Sequence, residues 1–254
     1  QAAPGAALLE TRGLKVLNER EEFAVDGVDL TVHAGEVVGI AGVQGNGQTE
    51  LVEALTGLRP VSSGTVGLAG RPITRASARQ RHRLGMAHIP EDRRRSGIIG
   101  EFTVAENMVL DTYYDERFAR GIALRWADVN AASLRNVEDF DVRTPSIFEL
   151  AEHLSGGNQQ KLVVARELSR DVKLIIAAQP TRGLDVGSVE YVHERIVQAR
   201  DEGVGVLMVS TELDEIMALS DRILVMFRGR IVGEFAPGKA TIAEIGLAMA
   251  GVAQ

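Results

Sequence analysis

A glycine-rich segment that could bind an anion runs from Gly42 to Thr49 of this 254-residue chain. It follows the apolar stretch Val37–Ala41 and precedes a stretch with helical periodicity. Glycines at 42, 45 and 47 let the backbone curl so that several N–H groups point inward, and a helix beginning there adds positive potential. The candidate phosphate-binding residues are Gly42, Gln44, Gly45, Asn46, Gly47, Gln48 and Thr49.

Position 48 departs from the phosphate-loop (P-loop) pattern G-x-x-x-x-G-K-[ST]. Gly42 and Gly47 match it, and Thr49 matches the hydroxyl that ligates Mg²⁺, but Gln48 stands where the pattern has lysine. A glutamine amide can donate a hydrogen bond to a phosphate and cannot neutralise its charge. We therefore expect weak binding of nucleotide and of Mg²⁺. Taken alone, the segment is equally compatible with a tight strand-to-helix turn that binds nothing.

A second candidate site is the octapeptide Leu154-Ser-Gly-Gly-Asn-Gln-Gln-Lys161, which opens a predicted helix. Its glycines, Gly156 and Gly157, expose the first N–H groups of the helix, and Ser155 adds a hydroxyl; such a terminus suits a terminal phosphate. The alternative is a helix start that is capped by Ser155 and binds no ligand. The position of the octapeptide between the glycine-rich loop and a buried strand favours the ligand-binding interpretation.

The elements that must position these segments follow from the apolar pattern. Short, largely apolar runs predict strands covered on both faces. Helical stretches alternate with several of them, which predicts a parallel α/β sheet with helices on its faces. The predicted strands are Val37–Ala41, Gly85–Ile89, Lys173–Ala177, Val204–Val209 and Arg222–Met226, and the predicted helices are Thr49–Leu58, Asn158–Ser169, Val186–Arg200 and Glu212–Leu219.

Two further regions differ from this alternation. Leu14–Leu17, Phe23–Val32 and Thr65–Leu68 predict a small antiparallel β layer, and Thr103–Asp141, with its aromatic residues, predicts a helical insertion. The whole chain, 1–254, is predicted to be one domain. In it, residues of about 1–100 and 171–254 form the β subdomain and core, and about 101–170 form a helical subdomain.

Composition excludes several classes of protein. With 28 basic and 35 acidic side chains the net charge is −7, which argues against nucleic-acid binding. The chain has no Cys, so disulfides, thiolate zinc sites and Cys nucleophiles are excluded. No stretch approaches the ~18 apolar residues of a membrane-spanning helix. The start at Gln1 lacks both an initiator Met and a signal pattern, so we expect a piece of a longer polypeptide.

Leu154–Lys161 resembles the signature motif of ATP-binding-cassette (ABC) domains, in the form typical of carbohydrate and nucleoside importers. The resemblance covers nearly the whole chain: Leu174–Asp185 resembles the Walker B strand and D-loop, Val206–Thr211 the strand that leads to the switch histidine, and Gly85–Arg93 the Q-loop. It implies a P-loop NTPase (RecA-like) parallel-sheet core with an N-terminal antiparallel β subdomain and an inserted α-helical subdomain.

The resemblance also shows which catalytic positions have changed. Ala178 stands at the aspartate that organises Mg²⁺, Gln179 at the glutamate that polarises the attacking water, and Thr211 at the switch histidine. Loss of general-base help alone costs roughly 10²–10⁴ in rate. Because these residues act as one unit, the losses are not summed. We expect the isolated domain to show little or no ATP hydrolysis, with weak ATP, ADP and Mg²⁺ binding.

The partners are likewise implied by the resemblance. ABC cassettes pair head to tail, so Ser155, Gly156, Gly157 and Asn158 are expected to complete the site of a catalytically intact second cassette, with Asp185 acting across the interface and Glu91 at the Q-loop glutamine position. The chain resembles the degenerate C-terminal cassette of a tandem protein. Transmembrane permease subunits and, indirectly, a substrate-binding protein would complete a nucleoside or sugar importer at the cytoplasmic face of the plasma membrane.

Two other functions remain open from the sequence. A non-transport ABC protein is the first, although too few residues separate Gln48 from Ser155 for a long coiled coil. A regulatory module that binds ATP without hydrolysis is the second. Phe23 is interpreted as a core residue rather than an adenine-stacking ring. The arginine clusters are interpreted as solvated, or, for the second cluster, as near the membrane subunits; they are Arg79, Arg81, Arg83 and Arg93, Arg94, Arg95.

Overall fold

The computed structural model describes residues 5–252, and it contains the strands and helices that the apolar pattern predicts. Gln1, on which the expectation of an excised start rests, lies outside the described residues. The strands are β1 (Ala7–Leu17), β2 (Phe23–His33), β3 (Val37–Ala41), β4 (Ser63–Leu68), β5 (Arg71–Pro72), β6 (Met86–Ile89), β7 (Ala119–Arg120), β8 (Ala123–Leu124), β9 (Leu174–Ala178), β10 (Gly205–Ser210), β11 (Arg222–Phe227) and β12 (Arg230–Phe235). The helices are α1 (Gln48–Thr56), α2 (Ala78–Arg83), α3 (Val104–Met108), α4 (Trp126–Asp139), α5 (Gly156–Leu168), α6 (Val186–Asp201), α7 (Leu213–Leu219) and α8 (Ile242–Met249).

A six-stranded sheet with the order β12-β11-β3-β10-β9-β6 positions the candidate nucleotide site. Strand β3 pairs in parallel with β10 and β11, and β10 pairs in parallel with β9, so the predicted parallel sheet is confirmed. Ala41 lies opposite Ser210, and Val209 lies opposite Ala178. Because parallel strands end at the same edge of a sheet, the loops after β3, β9 and β10 begin side by side at that edge.

The predicted antiparallel β layer is also confirmed. It has the order β2-β1-β4-β5, and β1 pairs antiparallel with both β2 and β4. Alternate residues of β1, including Leu14 and Val16, are fully buried in one cluster with Ile40 of β3 and Leu55 of α1. This apolar cluster fixes helix α1, and with it the glycine-rich loop, against the sheets.

The chain divides into two compact units. The first comprises the residues up to His88, Val172–Pro180 and the residues from His193 onward, and the second comprises Ile89–Asp171 and Thr181–Val192. The second unit contains α3, α4 and α5 as the predicted helical insertion, and Phe118 lies in its small apolar cluster. It also contains the hairpin β7–β8, which the sequence did not predict because strands of two residues carry no detectable period.

Two predictions about single residues of the first unit are wrong. Phe23 is 52% exposed and therefore not a core residue; Lys15 Nζ lies 5.1 Å from the centroid of its ring. Arg81 is only 2% exposed, whereas a solvated side chain was predicted. Its Nη1 donates at 2.6 Å to the carbonyl oxygens of Ala54 and Leu55, which belong to the last turn of α1. Burial lowers the pKa of Arg81 to about 10.

Across residues 5–252, no helix combines the length and the apolar character that crossing a bilayer requires.

Candidate functional site

The loop between β3 and α1 depends on glycine at two positions. Gly45 and Gly47 have φ angles of 89° and 101°, in the left-handed region that side chains disfavour. A Cβ on Gly47 would also overlap the carbonyl oxygen of Ala24 in β2. The backbone therefore curls tightly into the first turn of α1, as the predicted phosphate-binding geometry requires.

The side chain of Gln48 fills the interior of this loop and is 8% exposed. Its Nε2 donates to the carbonyl oxygen of Val43 at 3.1 Å, and its Oε1 accepts the backbone N–H of Asn46 at 3.1 Å. A Cβ on Gly42 would overlap the Gln48 amide, which shows how closely that amide approaches the backbone. One of the N–H groups expected to face a phosphate is thus already satisfied by a neutral side chain of the loop itself.

Asn46 ties the loop to the turn between β11 and β12. Its Nδ2 donates to Val43 O at 3.0 Å, its Oδ1 accepts the N–H of Arg228 at 2.8 Å, and its carbonyl oxygen accepts the N–H of Gly229 at 2.9 Å. Asn46 is therefore a structural brace of the loop as well as a candidate phosphate contact. Gln44, Gly45 and Thr49 are exposed at the loop surface.

Three residues that the resemblance aligns with catalytic positions lie at the ends of β9 and β10: Ala178 is the last residue of β9, Gln179 follows it, and Thr211 follows β10. Ala178 is 7% exposed and packs in the apolar core. Gln179 has a left-handed φ of 47°, and its N–H donates to Val209 O at 2.7 Å. Thr211 donates to Gln179 Oε1 from its N–H at 3.2 Å and from its Oγ1 at 3.3 Å. The two substituted side chains are therefore partners of each other.

These residues do not suit Mg²⁺. The ion prefers octahedral oxygen ligands and is usually held through one or two carboxylates. Thr49 offers a hydroxyl and Gln179 a neutral amide already bonded to Thr211, while Ala178 offers a methyl group. Within residues 5–252, His, Asp and Glu side chains form no group of three or more that could hold a metal ion.

In the second unit, Ser155 is the N-cap of α5. Its Oγ accepts the N–H of Asn158 at 3.4 Å and the side-chain Nδ2 of Asn158 at 3.0 Å. Since both bonds use lone pairs of the hydroxyl, the O–H of Ser155 keeps its proton available for an acceptor. Asn158 is itself held in place, because its Oδ1 accepts the N–H of Arg143 at 2.8 Å. Ser155 is exposed, so its donor faces the outside of the unit.

Gly156 and Gly157 lie close to neighbouring side chains. A Cβ on Gly156 would lie 2.7 Å from Nη2 of Arg93, and a Cβ on Gly157 would overlap Oγ of Ser188 and lie 3.1 Å from Oδ2 of Asp185. The first turn of α5 thus packs directly on the Arg93 side chain and on the start of α6. We call the surface formed by Ser155, Gly156 and Gly157 the signature surface.

Asp185 is bonded within its own unit. Its Oδ1 accepts the N–H of Ser188 at 3.0 Å, and its Oδ2 accepts the Ser188 hydroxyl at 2.8 Å. These hydrogen bonds, the side-chain one foremost, hold the pKa of Asp185 below its usual value. Glu91, at the Q-loop position, forms an ion pair with Arg182.

The structure assigns the predicted residues to two separate sets. The glycine-rich loop, Ala178, Gln179 and Thr211 belong to the first unit, and the signature surface, Asn158, Asp185 and Glu91 belong to the second. Sequence reasoning missed the role of Ser188, although the D-x-x-S spacing at the start of α6 is an N-cap signal that could have revealed it. It also missed that Gln48 would fold back into its own loop, which no local pattern reports.

Comparisons with known proteins agree with the resemblance. Residues 25–182 match the family model described as ABC transporter. The guanosine import ATP-binding protein NupO of Bacillus subtilis (strain 168) is 46% identical over 253 residues, which cover 100% of this chain and 50% of that protein. The nucleoside import ATP-binding protein NupA of Lactococcus lactis subsp. cremoris (strain MG1363) is 46% identical, with 98% of this chain and 49% of that protein covered. The chain spans about half the length of the curated relatives it matches.

Solved structures support the fold. The ADP conformation of MJ1267, an ATP-binding cassette of an ABC transporter, superposes with a TM-score of 0.75 at 21% identity, covering 96% of this chain and 95% of that chain. A nucleotide-free ATP-binding cassette from an ABC transporter superposes with a TM-score of 0.77 at 22% identity, covering 97% of this chain and 96% of that chain.

Proposed function

This chain belongs to the ABC transporter ATP-binding family, and on that premise we propose that it is a cassette with an unequal pair of functions. Its own P-loop binds nucleotide weakly and hydrolyses it very slowly. Its signature surface completes the ATPase site of a second, catalytically intact cassette. Residues 1–254 form one nucleotide-binding domain in this proposal, with a helical subdomain at about 101–170 that ends in the signature helix.

The interior of the glycine-rich loop carries the first half of the proposal. To bind a phosphate there, the Gln48 amide must leave the Val43 carbonyl and the Asn46 N–H. No charge is gained in exchange, because glutamine is neutral. After β9, at the position proposed for the residue that polarises the attacking water, Gln179 cannot accept a proton as a carboxylate does. Its amide oxygen already accepts hydrogen bonds from Thr211.

The signature surface carries the second half. Ser155 has a free hydroxyl donor, and the first N–H groups of the 13-residue helix α5 lie behind it. The close packing of Gly156 and Gly157 holds this turn in place. The chain therefore retains the groups that would contact another cassette's terminal phosphate, and lacks those that would cleave its own.

The substrate class is proposed as nucleosides or simple sugars. Its support is the similarity to guanosine, nucleoside and ribose import ATP-binding proteins, which are 40–46% identical to this chain. The expected partners are transmembrane permease subunits at the cytoplasmic face of the plasma membrane and, indirectly, a substrate-binding protein. The proposal puts the second cassette on the same polypeptide; its support is the resemblance to the C-terminal cassette of a tandem protein, and this chain spans about half the length of the relatives.

The decisive experiment measures ATPase activity of the assembled transporter after Ser155→Arg in this cassette. The bulky cation removes the hydroxyl donor and obstructs the signature surface, so we expect ATPase activity to be abolished. Ser96→Arg, at an exposed serine of the same unit, is the matched control and should leave activity intact. Normal turnover in the Ser155→Arg transporter would favour a binding-only regulatory module instead.

A second experiment tests the P-loop half separately. Titration of this chain with ATP and Mg²⁺, without any other cassette, should give weak binding and no measurable turnover. Tight binding with brisk hydrolysis would contradict the proposal. Uptake of radiolabelled guanosine and ribose by cells that carry or lack the transporter would then assign the solute.

A further inference from the structure

Arg93 lies against the signature surface. It begins a short π-helical turn, Arg93–Gly97, and a Cβ built on Gly156 would lie 2.7 Å from its Nη2, 3.5 Å from its Cζ and 3.9 Å from its Nε. The guanidinium therefore rests on the first residue of α5, next to Ser155. The prediction that all three residues of this arginine cluster are solvated is wrong for Arg93, which is partly buried, whereas Arg94 and Arg95 are exposed.

The turn that presents Arg93 is well braced. Asp92 caps it, and its Oδ1 accepts the N–H groups of Arg94 at 3.0 Å and Arg95 at 3.1 Å. Nη1 of Arg93 donates to the carbonyl oxygen of Arg182 at 3.1 Å. Ile98 closes the turn by donating its N–H to the carbonyl oxygen of Arg93 at 2.8 Å. The position of the guanidinium is thus set by the braced turn that carries Arg93 and by the carbonyl group of Arg182.

The charge of Arg93 is left without a counter-charge. No carboxylate among residues 5–252 forms an ion pair with it, and its buried Nε has no hydrogen-bond partner there. Glu91, the nearest carboxylate in sequence apart from Asp92, is paired with Arg182. A cation beside a helix N-terminus is unfavourable, because the helix dipole is positive at that end. The Arg93 guanidinium and the N-terminus of α5 therefore place two positive potentials side by side, and a bound anion would stabilise both.

We propose that Arg93 is a second phosphate ligand of the signature surface, which donates together with Ser155 to the terminal phosphate of a nucleotide held by the partner cassette. This inference rests on the proposed function, in which that phosphate faces the signature surface. A guanidinium has five N–H donors in a planar fork, so the bond to the Arg182 carbonyl leaves donors for a phosphate oxygen. In this role, Arg93 provides a positive charge from this cassette to the γ-phosphate that the partner cassette holds.

The test uses the assembled transporter with Arg93→Ala, Arg93→Gln and Arg93→Lys in this cassette, and Arg94→Ala as the control. Loss of one charge-assisted hydrogen bond should lower kcat/KM for ATP by about ten- to a hundredfold in the Ala and Gln variants. Lysine should recover part of the loss. The inhibition constant of ADP should stay unchanged in all of them, because ADP has no γ-phosphate. Arg94→Ala, an exposed neighbour in the same turn, should match the wild type.

The outcomes separate the inference from its premise. If Ser155→Arg abolishes activity and Arg93→Ala does not change kcat/KM, the Arg93 role is refuted and the proposed function stands. A loss of ADP affinity equal to the loss of ATP affinity would also refute it, since that pattern indicates a structural brace. If Ser155→Arg leaves activity intact, the proposed function fails and the phosphate role of Arg93 fails with it. Arg93→Gln keeps a donor for the Arg182 carbonyl, so it remains informative if Arg93→Ala does not assemble.

Discussion

Gln179 and Thr211 hold each other: the amide oxygen of Gln179 accepts both the N–H and the hydroxyl of Thr211, at 3.2 and 3.3 Å. By resemblance these are the positions of the water-polarising glutamate and the switch histidine. In the proposed function these two neutral side chains stand where a catalytic pair would act, and their hydrogen-bonding groups are used on each other. Loss of the Thr211 hydroxyl would leave Oε1 of Gln179 with the N–H of Thr211 alone.

The first prediction concerns Gln179→Glu alone. A carboxylate at 179 can still accept from the Thr211 N–H and hydroxyl, so the fold should persist. On the proposed function, turnover of ATP by this chain should nevertheless stay at background, because Gln48, Ala178 and Thr211 would still lack the lysine, aspartate and histidine functions. Phosphate release measured at saturating ATP checks this. Appreciable turnover in the single variant would show that the remaining three substitutions are tolerated.

The second prediction concerns Gln48→Lys. The ammonium adds the charge that the loop lacks, and the Asn46 N–H loses its present acceptor, Oε1 of Gln48. We expect the affinity of this chain for ATP to rise by about tenfold or more, since a charged hydrogen bond contributes about 1.5–3 kcal/mol. Isothermal titration with ATP checks the gain, and Val43→Lys, at an exposed position of the same loop, is the control. An equal gain in both variants would indicate nonspecific attraction.

The sheet could be predicted because its strands are buried on both faces and therefore read as unbroken apolar runs. Val37–Ala41 was predicted to the residue, and Val204–Val209 was found one residue further along, at Gly205–Ser210. Long-range packing could not be predicted. Arg81 reads as one arginine of a charged run, and only the arrival of α2 at the end of α1 buries it. Likewise, the contact of Arg93 with Gly156 joins residues far apart in the chain.

The third prediction concerns Gly157→Ala. The new methyl group would overlap the Ser188 hydroxyl and lie 3.1 Å from Oδ2 of Asp185, so the Ser188–Asp185 hydrogen bond and the first turn of α5 must readjust together. Since the signature surface depends on that turn, ATPase activity of the assembled transporter should fall by at least tenfold, because small misplacements of a positioning group carry large costs. Gly246→Ala in α8 is the control, because a Cβ there has nothing within 4 Å. Equal activity of the two variants would contradict the packing argument.

The fourth prediction concerns Ser188→Ala and the pKa of Asp185. Removal of the hydroxyl leaves only the backbone N–H donors, so the pKa of Asp185 should rise towards its usual value of 3.8. Because folding lowers the pKa of Asp185, ionisation of this carboxyl stabilises the folded state. The stabilisation is fully present at pH values above the pKa that Asp185 has in the unfolded chain. That contribution is lost as pH falls through the folded-state value. Carboxyl NMR titration checks the shift, and Ser96→Ala, in the same unit, should leave the Asp185 titration unchanged.

The fifth prediction concerns Arg81→Met, which retains much of the side-chain volume and removes every donor. The carbonyl oxygens of Ala54 and Leu55 would then lose the guanidinium that caps the end of α1. Unsatisfied buried acceptors cost about 1–3 kcal/mol each, and loss of the buried charge offsets part of that cost. We therefore expect the free energy of unfolding in urea to fall by about 2 kcal/mol. Arg75→Met, at an exposed position shortly before the same helix, should change it by less than about 0.5 kcal/mol. If the two variants unfold at the same urea concentration, Arg81 does not cap the P-loop helix.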